Sequence, residues 1–149
     1  MKGNNKSTAQ KINEKIEAKK HETVLEINLN HVENNFTFYK NLISKNTKIL
    51  AMIKAAGYGA GLIEIGKKLE FCNVDFLGVA YVDEGVELRK NGIAKPILVM
   101  NPSVGSFNTL INHNLTPAIH DLNQLNSFTG KLIDLNVNAY PVHLKLNSG

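Results

Sequence analysis

Ile49-Leu50-Ala51-Met52-Ile53-Lys54-Ala55-Ala56-Gly57-Tyr58-Gly59-Ala60-Gly61 is the stretch on which the fold turns. Five consecutive apolar residues suit a short strand buried on both faces, the habit of a parallel sheet. A lysine ends the run and a glycine-rich connection follows. Leu62, Ile65 and Leu69 then recur at helical spacing. Strand, short loop and helix together make one unit of a parallel α/β architecture.

The unit repeats downstream. Residues 75–80 read as a strand, and Asp83 is placed to cap a helix that runs to Gly92. Residues 96–100 read as a strand with Pro96 at its first position, and Phe107, Leu110 and Ile111 as a helix. Ala118 and Ile119 form a short strand after Pro117. Leu122, Leu125 and Phe128 mark a helix ending near Gly130, and residues 137–146 are strand-like. Upstream, residues 24–29 alternate in part and read as another strand. Asn30 and Glu33 have capping-box spacing. Val32, Phe36, Tyr39 and Ile43 then give one face of an amphipathic helix over about 31–44. About five buried strands therefore follow the first. They fit an open doubly wound sheet or part of a β/α barrel, and periodicity does not separate the two. The chain ends at Asn147-Ser148-Gly149, directly after a strand, which reads as a truncation.

Composition narrows the function classes. The 149 residues are 43% hydrophobic and 20% charged, the balance of a soluble globular domain. No apolar run reaches the length of a membrane span, and the lysine-rich start has no apolar stretch behind it, so it is not a signal peptide. A single cysteine, Cys72, excludes an internal disulfide and reads as core rather than reactive. Together these point to a cytoplasmic protein. Residues 1–22 carry six lysines and three glutamates, so most of the net charge of +4 sits in a polar tail or linker. The remainder, 23–149, is nearly neutral, which argues against a nucleic-acid surface. His113 and His120 stand alone, without metal-ligand spacing.

Lys54 is the residue with chemistry to offer. Parallel α/β folds place their chemistry at the C-terminal ends of strands. A partly desolvated lysine there can form an imine with a carbonyl cofactor. The glycines let backbone approach a bound group, and the Tyr58 hydroxyl can meet a phosphate oxygen. A plain surface lysine ending a strand is the bland alternative.

In order, Lys54-Ala55-Ala56-Gly57-Tyr58-Gly59-Ala60-Gly61 resembles the K-A-N-A-Y-G-H-G motif of pyridoxal-phosphate (PLP) dependent alanine racemases, with Ala56 and Ala60 in place of asparagine and histidine. Leu25-Glu26-Ile27-Asn28-Leu29 with Asn34-Asn35-Phe36 resembles that family's opening strand and helix. Gly78-Val79-Ala80-Tyr81-Val82-Asp83-Glu84-Gly85 through Leu88-Arg89 and Gly92-Ile93 resembles its next signature, and Pro96-Ile97-Leu98-Val99-Met100 the strand after that. His143-Leu144-Lys145-Leu146-Asn147-Ser148-Gly149 resembles H-x-K-x-D-T-G, with Asn147 and Ser148 departing from Asp and Thr. The resemblance covers roughly residues 22–149. Lys2-Gly3, the Lys/Glu segment and His21-Glu22-Thr23 also resemble the junction of bacterial fusions in which a D-alanyl-D-alanine-adding ligase precedes the racemase.

The resemblance implies an incomplete PLP-binding (β/α)8 barrel, cut after five to six strands, with residues 24–29 outside the barrel. It implies PLP as cofactor, Lys54 as its attachment point and one catalytic base, Tyr58 as a cofactor contact, and Lys145 as a lysine that becomes carboxylated. It further implies alanine as substrate, a homodimer completed by a partner tyrosine, and D-alanine supply for peptidoglycan. The second base and the phosphate anchors would lie beyond Gly149. A related PLP amino-acid racemase or decarboxylase, or a non-catalytic PLP carrier of the same barrel type, are the alternatives.

Overall fold

The structure, a computed structural model, describes residues 24–146. Five strands, β1 (Leu50–Met52), β2 (Phe76–Val79), β3 (Ile97–Val99), β4 (Thr116–Ile119) and β5 (His143–Leu144), form one sheet in the order β1-β2-β3-β4-β5. Every neighbouring pair is parallel. Around them lie α1 (Leu29–Leu42), α2 (Leu62–Phe71), α3 (Val82–Lys90), α4 (Phe107–Asn112, entered through a 3₁₀ turn at Val104–Ser106) and α5 (Leu122–Asp134).

This order decides what periodicity left open. A doubly wound sheet reverses its strand order at a switch point. Here the order never reverses, so right-handed crossovers set every helix on the same face. Register gives the two faces their residues. Ile53, Leu77, Val79, Ile97, Val99 and Ile119 face the helices and share one core with Leu62, Ile65, Leu69, Leu88, Leu110 and Phe128. Burying each such side chain contributes about 1.5–3 kcal/mol. On the other face, Gly78 is covered by its β1 neighbours. A Cβ there would lie 2.8 Å from Met52 Cε and 3.0 Å from Leu50 Cδ2. Leu98 and Ala118 are buried beyond it.

The sheet curls toward that second face. The rings of Phe76 on β2 and His143 on β5 lie 5.7 Å apart, edge to face. Three strand spacings in a flat sheet would separate them by about 14 Å. The five strands are an arc of a β/α barrel, with its lumen on the concave side.

Several local expectations are corrected. Residues 24–28 form no strand, having no ladder to join, and Val24 and Leu25 are exposed. They do lie outside the sheet, as the resemblance implied. The helix after them starts at Leu29, and its first turn is capped by Asn28, whose side chain accepts from Asn30 N at 2.9 Å. Glu33 serves elsewhere, paired with Lys68 of α2. Strand β1 is not buried on both faces: it is the sheet's first strand, covered on one edge only, and Leu50 is 36% exposed. Pro117 lies inside β4 rather than before it. Helix α5 runs through Gly130 to Asp134, since a single glycine costs only about 1 kcal/mol in a helix. Of residues 137–146 only His143–Leu144 pair. Asp83 lies in the first turn of α3 but does not cap it. The tail at 1–22, the fusion-like junction, and Asn147 and Ser148 lie outside the described residues.

Candidate functional site at the barrel mouth

Lys54 follows β1 by two residues, and Lys145 follows β5 directly. All five strands are parallel, so both lysines stand at the same end of the arc, the C-terminal mouth. Lys145 is tied there through its backbone, its N–H donating to Ile119 O at 2.8 Å. Both side chains are exposed, and no carboxylate among the described residues pairs with either.

The segment after Lys54 is a left-handed turn. Ala55, Ala56, Gly57 and Tyr58 have φ of 53°, 53°, 65° and 56°, and Gly59 and Gly61 follow at 84° and 95°. Non-glycine residues pay about 1–2 kcal/mol each in that region. Gly57, buried against Leu62, stands where the racemase motif has its second alanine, a further departure that suits the turn. The turn reverses the chain within one loop, starts α2 at Leu62, and leaves Tyr58 64% exposed at the mouth.

Glu84 holds this turn in place. Its Oε1 accepts from Ala55 N at 2.6 Å, while Oε2 accepts from Ala80 N at 2.8 Å and Tyr81 N at 3.2 Å. One carboxylate therefore joins the loop after β1 to the loop after β2. The cap expected of Asp83 falls to Glu84. The available signal was its place three residues after Tyr81, the spacing at which a glutamate reaches back to the N-cap backbone.

At the end of β4, His120 Nε2 lies 3.3 Å from Asp121 Oδ2. A cavity of about 220 Å³ opens there between Ile119, His120, Leu122, Leu144 and Lys145. A larger one, about 770 Å³, runs along α3 on the helical side and touches neither Lys54 nor Lys145. His113 sits at the opposite end, its Nδ1 2.9 Å from Thr109 O. Cys72 caps α2, half-buried, and burial pushes its thiol up, away from reactivity. No group of three or more His, Cys, Asp or Glu among the described residues could hold a metal ion.

The end opposite the mouth is structural. Arg89 on α3 donates to His113 O, Ile93 O, Lys95 O and Asn114 O. Burial lowers its pKa, against the opposing charge of Glu70. Tyr140 donates to Leu115 O at 3.0 Å and packs edge-on against Phe128, which meets Phe107 in the same way.

Comparison with known proteins places this geometry. A family profile described as "Alanine racemase, N-terminal domain" matches residues 27–149. "Alanine racemase 1" of Caldanaerobacter subterraneus subsp. tengcongensis is 34% identical over 128 residues, covering 85% of this chain and 33% of that protein. The Geobacter sulfurreducens alanine racemase is 32% identical over 131 residues, again 85% of this chain and 33% of the relative. Among solved structures, an alanine racemase of Clostridium difficile 630 superposes with a TM-score of 0.79 at 36% identity, over 87% of this chain and 35% of that one. The Acinetobacter baumannii enzyme gives 0.73 at 28%, over 83% and 36%. The chain thus spans about a third of the length of the relatives it matches. A sheet wound in chain order, a lysine at its mouth and these relatives agree: the chain belongs to the alanine racemase family, whose members depend on pyridoxal phosphate, and carries a fragment of its N-terminal barrel domain.

Proposed function

We propose that this chain carries the cofactor-attachment side of an alanine racemase, with Lys54 as the attachment lysine and one of two catalytic bases. One observation carries the reading: an exposed lysine follows β1 by two residues at the mouth of a parallel arc, opening a turn that also presents Tyr58. The donor set fits pyridoxal phosphate. Lys54 offers a primary amine without a carboxylate partner among the described residues, and Tyr58 a hydroxyl for a phosphate oxygen. When bound, the cofactor withdraws electrons from the bond between the amino acid's Cα and its hydrogen.

Racemisation needs a base on each face of the reacting carbon. Lys54 Nζ takes or returns the proton on one face. Lys145, at the same mouth, is proposed as the carboxylated lysine, its added negative charge orienting a cation outside this chain. Alanine as substrate, a homodimer that completes the site, a cytoplasmic location and D-alanine supply for peptidoglycan follow from the same reading. No helix among the described residues is long and apolar enough to cross a membrane. On composition, residues 1–22 are proposed as a linker or flexible tail ahead of an incomplete barrel domain at 23–149.

The test is covalent labelling. The lysine amine and the cofactor aldehyde join with loss of water, and borohydride then makes the link permanent by hydride addition. Peptide mass mapping is expected to place the label on Lys54, and Lys54→Ala to lose it. A label that stays on another lysine in both proteins would move the site.

A further inference from the structure

We propose that Glu84 is a positioning residue for Lys54, fixing the peptide that follows it and so setting how the amine enters the mouth. The proposal rests on the reading of Lys54 as the attachment lysine. The N–H of Ala55 belongs to the Lys54–Ala55 peptide, so the 2.6 Å bond to Glu84 Oε1 holds the backbone torsion of Lys54 itself. Among the described residues that N–H has no backbone acceptor, because the left-handed turn that begins at Ala55 directs its internal bonds elsewhere. Gly57 N donates to Ile53 O, and Gly59 N to Ala55 O and Ala56 O.

Helix capping alone does not account for the arrangement. A capping glutamate would need only the contacts of Oε2 with Ala80 N and Tyr81 N. The second oxygen crosses to the neighbouring loop. The partners span two adjacent strands, β1 and β2, whose pairing continues to the mouth through Ile53 N donating to Gly78 O at 2.8 Å. Both oxygens act only as acceptors, which suits a carboxylate alone. In Glu84→Gln one end becomes a donor and must abandon either Ala55 or the α3 start. In Glu84→Asp the arm is one methylene shorter and cannot span both loops.

The experiment uses the full chain and three readouts. Amide hydrogen exchange in the unaltered protein is expected to show Ala55 N–H protected about tenfold or more, although no backbone carbonyl among the described residues accepts it. Glu84→Gln is expected to weaken pyridoxal-phosphate attachment at Lys54 about tenfold and to spread the borohydride-fixed label to other lysines. Its urea midpoint reports whether the fold persists. An unprotected Ala55 amide in the unaltered protein overturns the proposal whether or not the variant folds. So does a folded Glu84→Gln that labels Lys54 with unchanged affinity and selectivity. If the unaltered protein is labelled elsewhere than Lys54, the attachment reading fails and this proposal with it, while Ala55 protection reports separately on the clamp.

Discussion

Phe76 on β2 and His143 on β5 meet edge to face across the concave side of the sheet, at an interplanar angle of 64°. Neither strand neighbours the other, so the contact exists only because the sheet curls. A double-mutant cycle of Phe76→Ala and His143→Ala is expected to give a coupling of about 0.5–1.5 kcal/mol, the range for such aromatic pairs. Additive effects within about 0.3 kcal/mol would mean that the rings do not meet and the arc is open in solution.

Ala56 sits at φ 53° with a side chain that gains nothing from that conformation. Ala56→Gly is expected to stabilise the chain by about 1 kcal/mol, the relief of left-handed strain less the added freedom of the unfolded state. The urea midpoint should rise with an unchanged slope. A fall in the midpoint would show the turn to be unstrained.

Arg89 binds four carbonyls with one planar fork. An ammonium cannot reproduce that geometry. Arg89→Lys is expected to cost about 2–3 kcal/mol, in line with hydrogen bonds to charged groups. A loss below about 0.5 kcal/mol, the range of ordinary surface changes, would show that the loops at this end hold themselves.

Tyr140 gives a pH signature. Burial raises its pKa above 10.0, against the lowering effects of Arg89's charge and the bond to Leu115 O. The folded state thus holds this proton more tightly than the unfolded one. The stability tied to it is intact below the ordinary tyrosine value and is lost as pH rises through the folded value. Tyr140→Phe is expected to be less stable at neutral pH by about 1 kcal/mol and to lose less on going alkaline. An unchanged alkaline loss would assign that sensitivity to other groups.

The fold class was legible because the apolar runs at 49–53, 75–80 and 96–100 and the helical spacing of Leu62, Ile65 and Leu69 are local patterns. Barrel against open sheet was not legible in periodicity, because strand order is a relation between segments; only the family resemblance favoured the barrel. The strand expected at 24–29 failed for a related reason: alternation makes a segment able to pair, and pairing needs a neighbour. At the mouth, Lys54 and Tyr58 stood out by residue type and position. Glu84 did not, since one of its two roles joins loops 29 residues apart, and sequence spacing offered only the capping role. The left-handed turn was hidden by Ala55 and Ala56, residues that ordinarily avoid it.

Turnover separates a half-site from a whole one. The 149-residue chain, given pyridoxal phosphate and L-alanine, is expected to form D-alanine far more slowly than a complete racemase, because on the proposed reading Lys54 would supply a base on one face only. Turnover comparable to that of a complete enzyme, measured by chiral separation of the product, would show that a second base lies within these residues.

Strand order in the sheet repeats strand order in the chain, and this has a consequence during synthesis. Each strand's first partner began 19–27 residues earlier, and ribosomes add about 5–20 residues per second. A nascent chain of this kind grows its sheet outward from β1, one strand every few seconds, each new strand pairing with the one made just before it. Such short-range closure favours rapid folding. It also leaves, at every stage, a single newest edge open for the next strand to find.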